Sequence, residues 1–110
     1  MNLVTGHRLR LERQRLGLSQ QALAILADYP GASGAQICIF ELGGRISEDA
    51  RLRIERILES VDQMKRVFPF SLDMRDTQSL KAALDAFERR DERWFTERGV
   101  KPELPPFISY

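Results

Sequence analysis

Apolar residues along this chain recur at spacings of three and four, and hardly any segment alternates, so helices are expected and strands are not. Residues 4–16 read as a first helix, with Leu9 and Leu16 as apolar anchors among Arg, Glu and Gln, and Gly17 ends it. Ser19 offers an N-cap for a second helix, Gln20 to about Ala27. The run Asp28-Tyr29-Pro30-Gly31 is a dense break signal. Ser33 caps a third helix, about Gly34 to Leu42, which stops at Gly43-Gly44. Ser47 caps a longer fourth helix, whose Ala50, Ile54, Ile57, Val61 and Met64 form one stripe to be buried.

Phe68-Pro69-Phe70 breaks the fourth helix or follows its end. Asp76 or Thr77 then caps a last helix running to about Arg98, with Leu80, Leu84, Phe87 and Trp94 or Phe95 on its apolar side and Gly99 after it. Val100 to Tyr110, with three prolines, reads as an extended tail. The expected architecture is all-α: residues 1–66 form an N-terminal domain of four to five helices, and residues 67–110 form a helical extension.

Composition narrows the function by exclusion. One cysteine, Cys38, allows no internal disulfide, and with a single histidine it allows no dedicated Cys/His metal site, so neither metal nor cofactor is expected. No phosphate-cradling glycine loop, zinc-ligand spacing or nucleophile motif is present, and His7 has no recognisable catalytic companion, so catalysis is not expected. No stretch approaches the roughly 18 apolar residues that span a bilayer, and Met1 to Arg10 lacks the pattern of a secretory signal. A cytoplasmic location is therefore expected.

The net charge of +1 does not by itself advertise nucleic-acid binding. Residues 1–45 carry five Arg against three acids, whereas residues 46–110 carry 12 basic against 13 acidic groups. Phosphate contacts need only a handful of well-placed cations, so the placement of Arg8, Arg10, Arg13, Arg15, Arg45, Arg51 and Arg53 matters more than the total.

The run Gly17-Leu18-Ser19-Gln20-Gln21-Ala22-Leu23-Ala24, followed by Ser33, Ile37, Glu41, Gly43 and Arg45, resembles the Cro/C1-type (XRE) helix-turn-helix family of phage and bacterial regulators. The resemblance covers about residues 6–60, and Arg13, four residues before Gly17, fits it as well. It implies a lambda-repressor-like bundle that binds double-stranded DNA, with the second helix across the phosphates and the third in the major groove. It also implies a phosphate contact at Gln20, a salt bridge from Arg13 to Glu41, core positions at Ile37 and Phe40, and a backbone-reaching loop at Arg45. Two features depart from the family pattern. The turn after the second helix is about three residues longer, and Gly34, Ala35 and Ile39 stand where long polar side chains are usual.

The residues fit these roles physically. Ser19 and Gln20 open the second helix, where free N–H groups and the positive dipole end favour phosphate. Ser33 caps the third helix or donates to phosphate, and Gly34 and Ala35 permit close approach of its backbone to DNA. Ala35 can touch a thymine methyl, and Gln36 is the one side chain there able to pair bidentately with adenine. Ile39 faces outward, toward a thymine methyl or an interface. Arg51 is a weaker phosphate candidate, and Cys38 reads as a semi-exposed small residue.

Beyond Met64, Val67, Phe68, Phe70, Leu72, Met74, Leu80, Leu84, Phe87, Trp94 and Phe95 require burial. A homodimer interface built on Phe70, Leu80, Leu84, Phe87, Trp94 and Phe95 is the preferred expectation, and packing back onto the fourth helix is the alternative. The leading expectation is a dimeric, sequence-specific repressor of a bacterial, phage or mobile-element promoter. An antitoxin-like or adaptor chain, gripping a protein partner through its C-terminal helix, is the alternative. RNA binding ranks lower, because no aromatic stacking platform is visible.

Overall fold

A computed structural model of the chain describes residues 5–68 and 75–99. Among these residues six helices follow one another: α1 Gly6–Arg15, α2 Gln20–Ala27, α3 Gly34–Glu41, α4 Glu48–Val67, α5 Thr77–Glu88 and α6 Glu92–Glu97. No strand occurs among the described residues, and the fold is all-α.

Every one of these helices starts on the same chemistry. A hydroxyl or carboxylate at the N-cap accepts a bond from the backbone N–H three residues on, satisfying one of the donors that a helix start leaves free. Thr5 accepts from Arg8, Ser19 from Ala22, Ser33 from Gln36, Ser47 from Ala50, Asp76 from Ser79 and Asp91 from Trp94, all at 3.0–3.2 Å. The ends are equally explicit. Leu18 N–H bonds the Arg13 carbonyl and Gly17 N–H bonds that of Gln14, the paired closure of a Schellman turn, with Gly17 at φ 77°. Gly44 and Gly43 close α3 in the same way on Ile39 and Phe40, with Gly43 at φ 98°.

The expected single helix from residue 76 or 77 to about 98 is instead two helices. Arg90 takes the left-handed conformation (φ 57°), so that Arg90 and Asp91 N–H groups close α5 on the Phe87 and Ala86 carbonyls. Asp91 then caps α6. An arginine in a position that favours glycine gives no composition signal, which is why periodicity alone ran through the break.

The chain divides into two units, Met1–Glu59 and Ser60–Tyr110, with the division inside α4 and earlier than the expected 66/67 boundary. The first unit buries Leu9, Leu16, Leu18, Leu23, Leu26, Ile37, Ile54, Ile57 and Leu58. In the second, Val61, Met64, Phe68, Leu80, Leu84 and Phe95 are buried, and the Phe68 and Phe95 rings stack with centroids 4.4 Å apart. The α4 stripe expected from the sequence is buried along its whole length, with Ala50, Ile54, Ile57, Val61 and Met64 fully enclosed.

Gly6 shows how closely α1 approaches α3. A Cβ placed there would run into the Phe40 carbonyl and the Glu41 Cα, both backbone atoms that have no rotamer with which to move aside. Gly6→Ala should therefore destabilise the chain by about 1–3 kcal/mol, the range for overpacking a tight contact, read as a fall in the urea midpoint at unchanged m-value.

Asp76 carries a second testable feature. The Ser79 hydroxyl, and then the Ser79 backbone N–H, donate to its carboxylate and hold its pKa below the ordinary aspartate value. With the folded value depressed, the contribution to α5 is complete above the unfolded aspartate pKa and is lost as pH falls through the folded one. Asp76→Asn, which still caps but does not titrate, should flatten that acid limb of helicity followed by circular dichroism.

Candidate nucleic-acid interface

The site is organised by Arg13, on the last turn of α1. Its Nε and Nη2 donate to the two carboxylate oxygens of Glu41 in α3, each at 2.9 Å, and its Nη1 donates to the Leu18 carbonyl at 2.8 Å. The two side chains are 11% and 3% exposed. The salt bridge expected from the resemblance is therefore present, bidentate and largely buried. Its geometry suits a planar guanidinium and no other side chain.

Gln20, at the start of α2, is half-buried beside this pair, and its Nε2 donates to Glu41 Oε1 at 3.4 Å. Its amide thus leans on the clamp. Ser19 is exposed and spends its oxygen capping α2, and Ser33 does the same for α3. Gly34 has a packing reason rather than an outward one. A Cβ there would point at the backbone of Gln20 and Gln21, 3.6–4.0 Å away, so the glycine seats the start of α3 against the start of α2.

With Ile37 fully buried and Glu41 held by Arg13, the rotation of α3 about its axis is fixed, and its other face turns outward. That face carries Ala35, Cys38, Ile39 and Leu42, positions that share one stripe at helical spacing. Ala35 is exposed, Cys38 is half-buried, and Ile39 and Leu42 are 47% and 78% exposed. Gln36 sits at the margin of the stripe, half-buried, and its side-chain amide meets no hydrogen-bond partner among the described residues. Phe40, expected in the core, is half-buried.

The cations sort into engaged and unengaged groups. Arg8 and Arg15 both face Glu12, at 3.9 and 2.8 Å, and Arg53 donates to the Ala27 carbonyl at 2.8 Å. Arg51 is shared between Glu55 and Glu48, which removes most of its case as a phosphate ligand. Arg45 and Arg10 are exposed and meet no acidic or hydrogen-bonding partner among the described residues. Arg10 also lines a shallow cleft of about 250 Å³ with Arg13, Gln14, Gln20, Cys38, Glu41 and Leu42. In the sequence Arg10 stands out only as one of a cluster of arginines, and Leu42 only as the end of α3. Arg10 shares its helix with three other arginines, and only the position of Glu12 separates it from two of them.

Of the residues expected at a C-terminal interface, Leu80, Leu84 and Phe95 are buried within the single chain. Phe87 and Trp94 are half-buried, and Trp94 is covered on one side by the Arg98 guanidinium, 4.0 Å from the ring centroid. Phe70 and the tail lie outside the described residues. Among the described residues, no group of His, Cys, Asp and Glu is placed to hold a metal ion, and no helix is long and apolar enough to cross a membrane.

No known family's sequence profile matches the chain, and neither a curated protein nor a solved structure matches it.

The clamp is open to a direct test. Removing one partner of a largely buried pair leaves the other charge uncompensated, so Glu41→Ala should cost about 3–5 kcal/mol in urea unfolding. Adding Arg13→Met to it should cost less than the sum of the two single changes, because the stranded guanidinium is then gone.

Proposed function

We propose that the chain is a sequence-specific, double-stranded DNA-binding transcriptional regulator of the Cro/C1 (XRE) helix-turn-helix type, acting in the cytoplasm as a two-fold dimer. The observation that carries this reading is the clamped orientation of α3. Its inner edge is anchored by Ile37 and Glu41, and its outer face, from Ala35 to Ile39, is free to enter a major groove.

Three further features support it. The serine-capped starts of α2 and α3 pack together through Gly34, which brings two helix N-termini with free N–H groups side by side, a favourable setting for phosphate. Arg45 and Arg10 are exposed, with no acidic partner among the described residues. Gln36, at the edge of the outward face, has an amide with no partner among the described residues. In this reading Arg45, Arg10, Ser19 and Gln20 meet the DNA backbone, Gln36 pairs with an adenine, and Ala35 and Ile39 touch base edges.

A protein-adaptor role is the second reading, and one observation favours it: the outward face of α3 is mostly apolar, ending in Leu42 at 78% exposure. Exposed apolar patches of this kind also mark protein contacts.

Selection of bound duplexes from a random library at near-physiological salt distinguishes the two. A regulator should recover an inverted repeat with half-sites about 10–11 base pairs apart. Arg45→Ala should then weaken binding to all sequences, whereas Gln36→Ala should cost about 1–3 kcal/mol at one base pair and relax preference there. Recovery of no motif would reject DNA reading and leave the adaptor role.

A further inference from the structure

The outward face of α3 has a chemistry that narrows what it can read. Base edges in the major groove offer hydrogen-bond donors and acceptors, and at thymine one apolar group, the C5 methyl. A helix that discriminates by hydrogen bonding needs polar side chains on its outer face. Here Ala35, Cys38, Ile39 and Leu42 occupy that face, and Gln36 at its margin is the only polar side chain on it. Ile39 is also shaped by its neighbour. A Cβ on Gly44 would collide with Ile39 Cγ2, so the glycine at the end of α3 leaves the space in which the Ile39 side chain lies over the closing turn. Ala35 is one turn before Ile39 on the same stripe, so a small and a branched apolar group stand next to each other.

We infer that α3 reads DNA chiefly through pyrimidine C5-methyl groups, with Ile39 and Ala35 as the methyl-contacting pair and Gln36 as the lone hydrogen-bonding reader. This rests on the DNA-binding reading above and specifies its chemistry. The methyl donor is thymine, or 5-methylcytosine where cytosine is modified, since both present the same group at the same edge of the groove. Arg45 and Arg10, exposed and without a partner among the described residues, supply the attraction to phosphate that an apolar face cannot.

The test changes the DNA and leaves the folded protein untouched. The full chain is offered random duplex libraries made with thymine, with uracil in place of thymine, and with 5-methylcytosine in place of cytosine. Uracil keeps every hydrogen-bonding group of thymine and removes only the methyl. A motif that weakens by about fourfold for each contacted methyl in the uracil library supports thymine as the donor. A motif strengthened in the 5-methylcytosine library supports methylated cytosine. The same motif at equal affinity in all three overturns methyl reading while leaving DNA binding intact. No motif in any library overturns the DNA-binding reading and this inference with it. Ile39→Ala should narrow the difference between the thymine and uracil forms to the part that Ala35 supplies, and retention of the full difference by that variant would remove Ile39 from the contact.

Discussion

Arg13 takes three acceptors with one rigid plane, and three separate pieces of chain have to agree on where that plane lies. Two of the acceptors are the oxygens of Glu41 in α3, and the third is the carbonyl of Leu18, in the turn after α1. Leu18 returns the contact, because its own N–H closes the end of α1 on the Arg13 carbonyl. Burying two charges is costly unless their remaining donors and acceptors are met, so the arrangement tolerates little displacement. A lysine would offer a single point of charge and leave the fork unfilled. Gly6 adds the steric half of the same constraint, since it brings α1 against the backbone at the end of α3 with no room for a side chain.

Orientation follows from this clamp more than from hydrophobicity. A surface helix ordinarily turns its apolar face inward, and the contrast between faces selects its rotation. In α3 that contrast is almost absent, because Ile37 and Phe40 are matched on the other side by Ile39 and Leu42. Burial alone would leave two rotations of similar merit. The ion pair to Glu41 separates them, because the opposite rotation would expose Ile37 and strand Arg13. An apolar outer face can then be kept for a purpose other than folding, and the structure holds it in place without needing it for the core.

The N-terminal half was legible because each of its boundaries is made locally. Ser19, Ser33 and Ser47 cap the helices that follow them, and Gly17 and Gly43 supply the left-handed positions that end the ones before. The pairing of Arg13 with Glu41, 28 residues apart, came from resemblance and could not have come from periodicity. The C-terminal half was less legible for two physical reasons. Arg90 ends α5 in a backbone conformation that its side chain does not advertise, although Asp91 with Glu92 behind it was an available start signal for α6. Hydrophobic density also says that Leu80, Leu84 and Phe95 must be buried without saying by what, and the chain buries them itself. Gly34 was open to the same ambiguity: its small size fits close approach to DNA or to another helix, and its α-carbon faces α2.

This burial changes what a two-fold regulator would have to use. With Phe68 and Phe95 stacked and Leu80 and Leu84 enclosed, the large side chains of α5 and α6 no longer demand a second copy to cover them. On the proposed DNA-binding reading, a demand for doubling arises instead at α3. One face with a single polar reader and a few methyl contacts gives modest discrimination per half-site, since each methyl is worth on the order of 0.8 kcal/mol and one bidentate pair about 1–3. Two such faces joined on one duplex add these small terms, and the second binds at the high effective concentration set by the first. The half-buried Phe87 and Trp94 are the large aromatic groups that α5 and α6 still show to solvent, and Trp94 already shares one side with Arg98. A dimer contact drawn from them would be small. Such a dimer would form most readily on the DNA itself, where the two half-sites supply the proximity that the described faces of α5 and α6 do not.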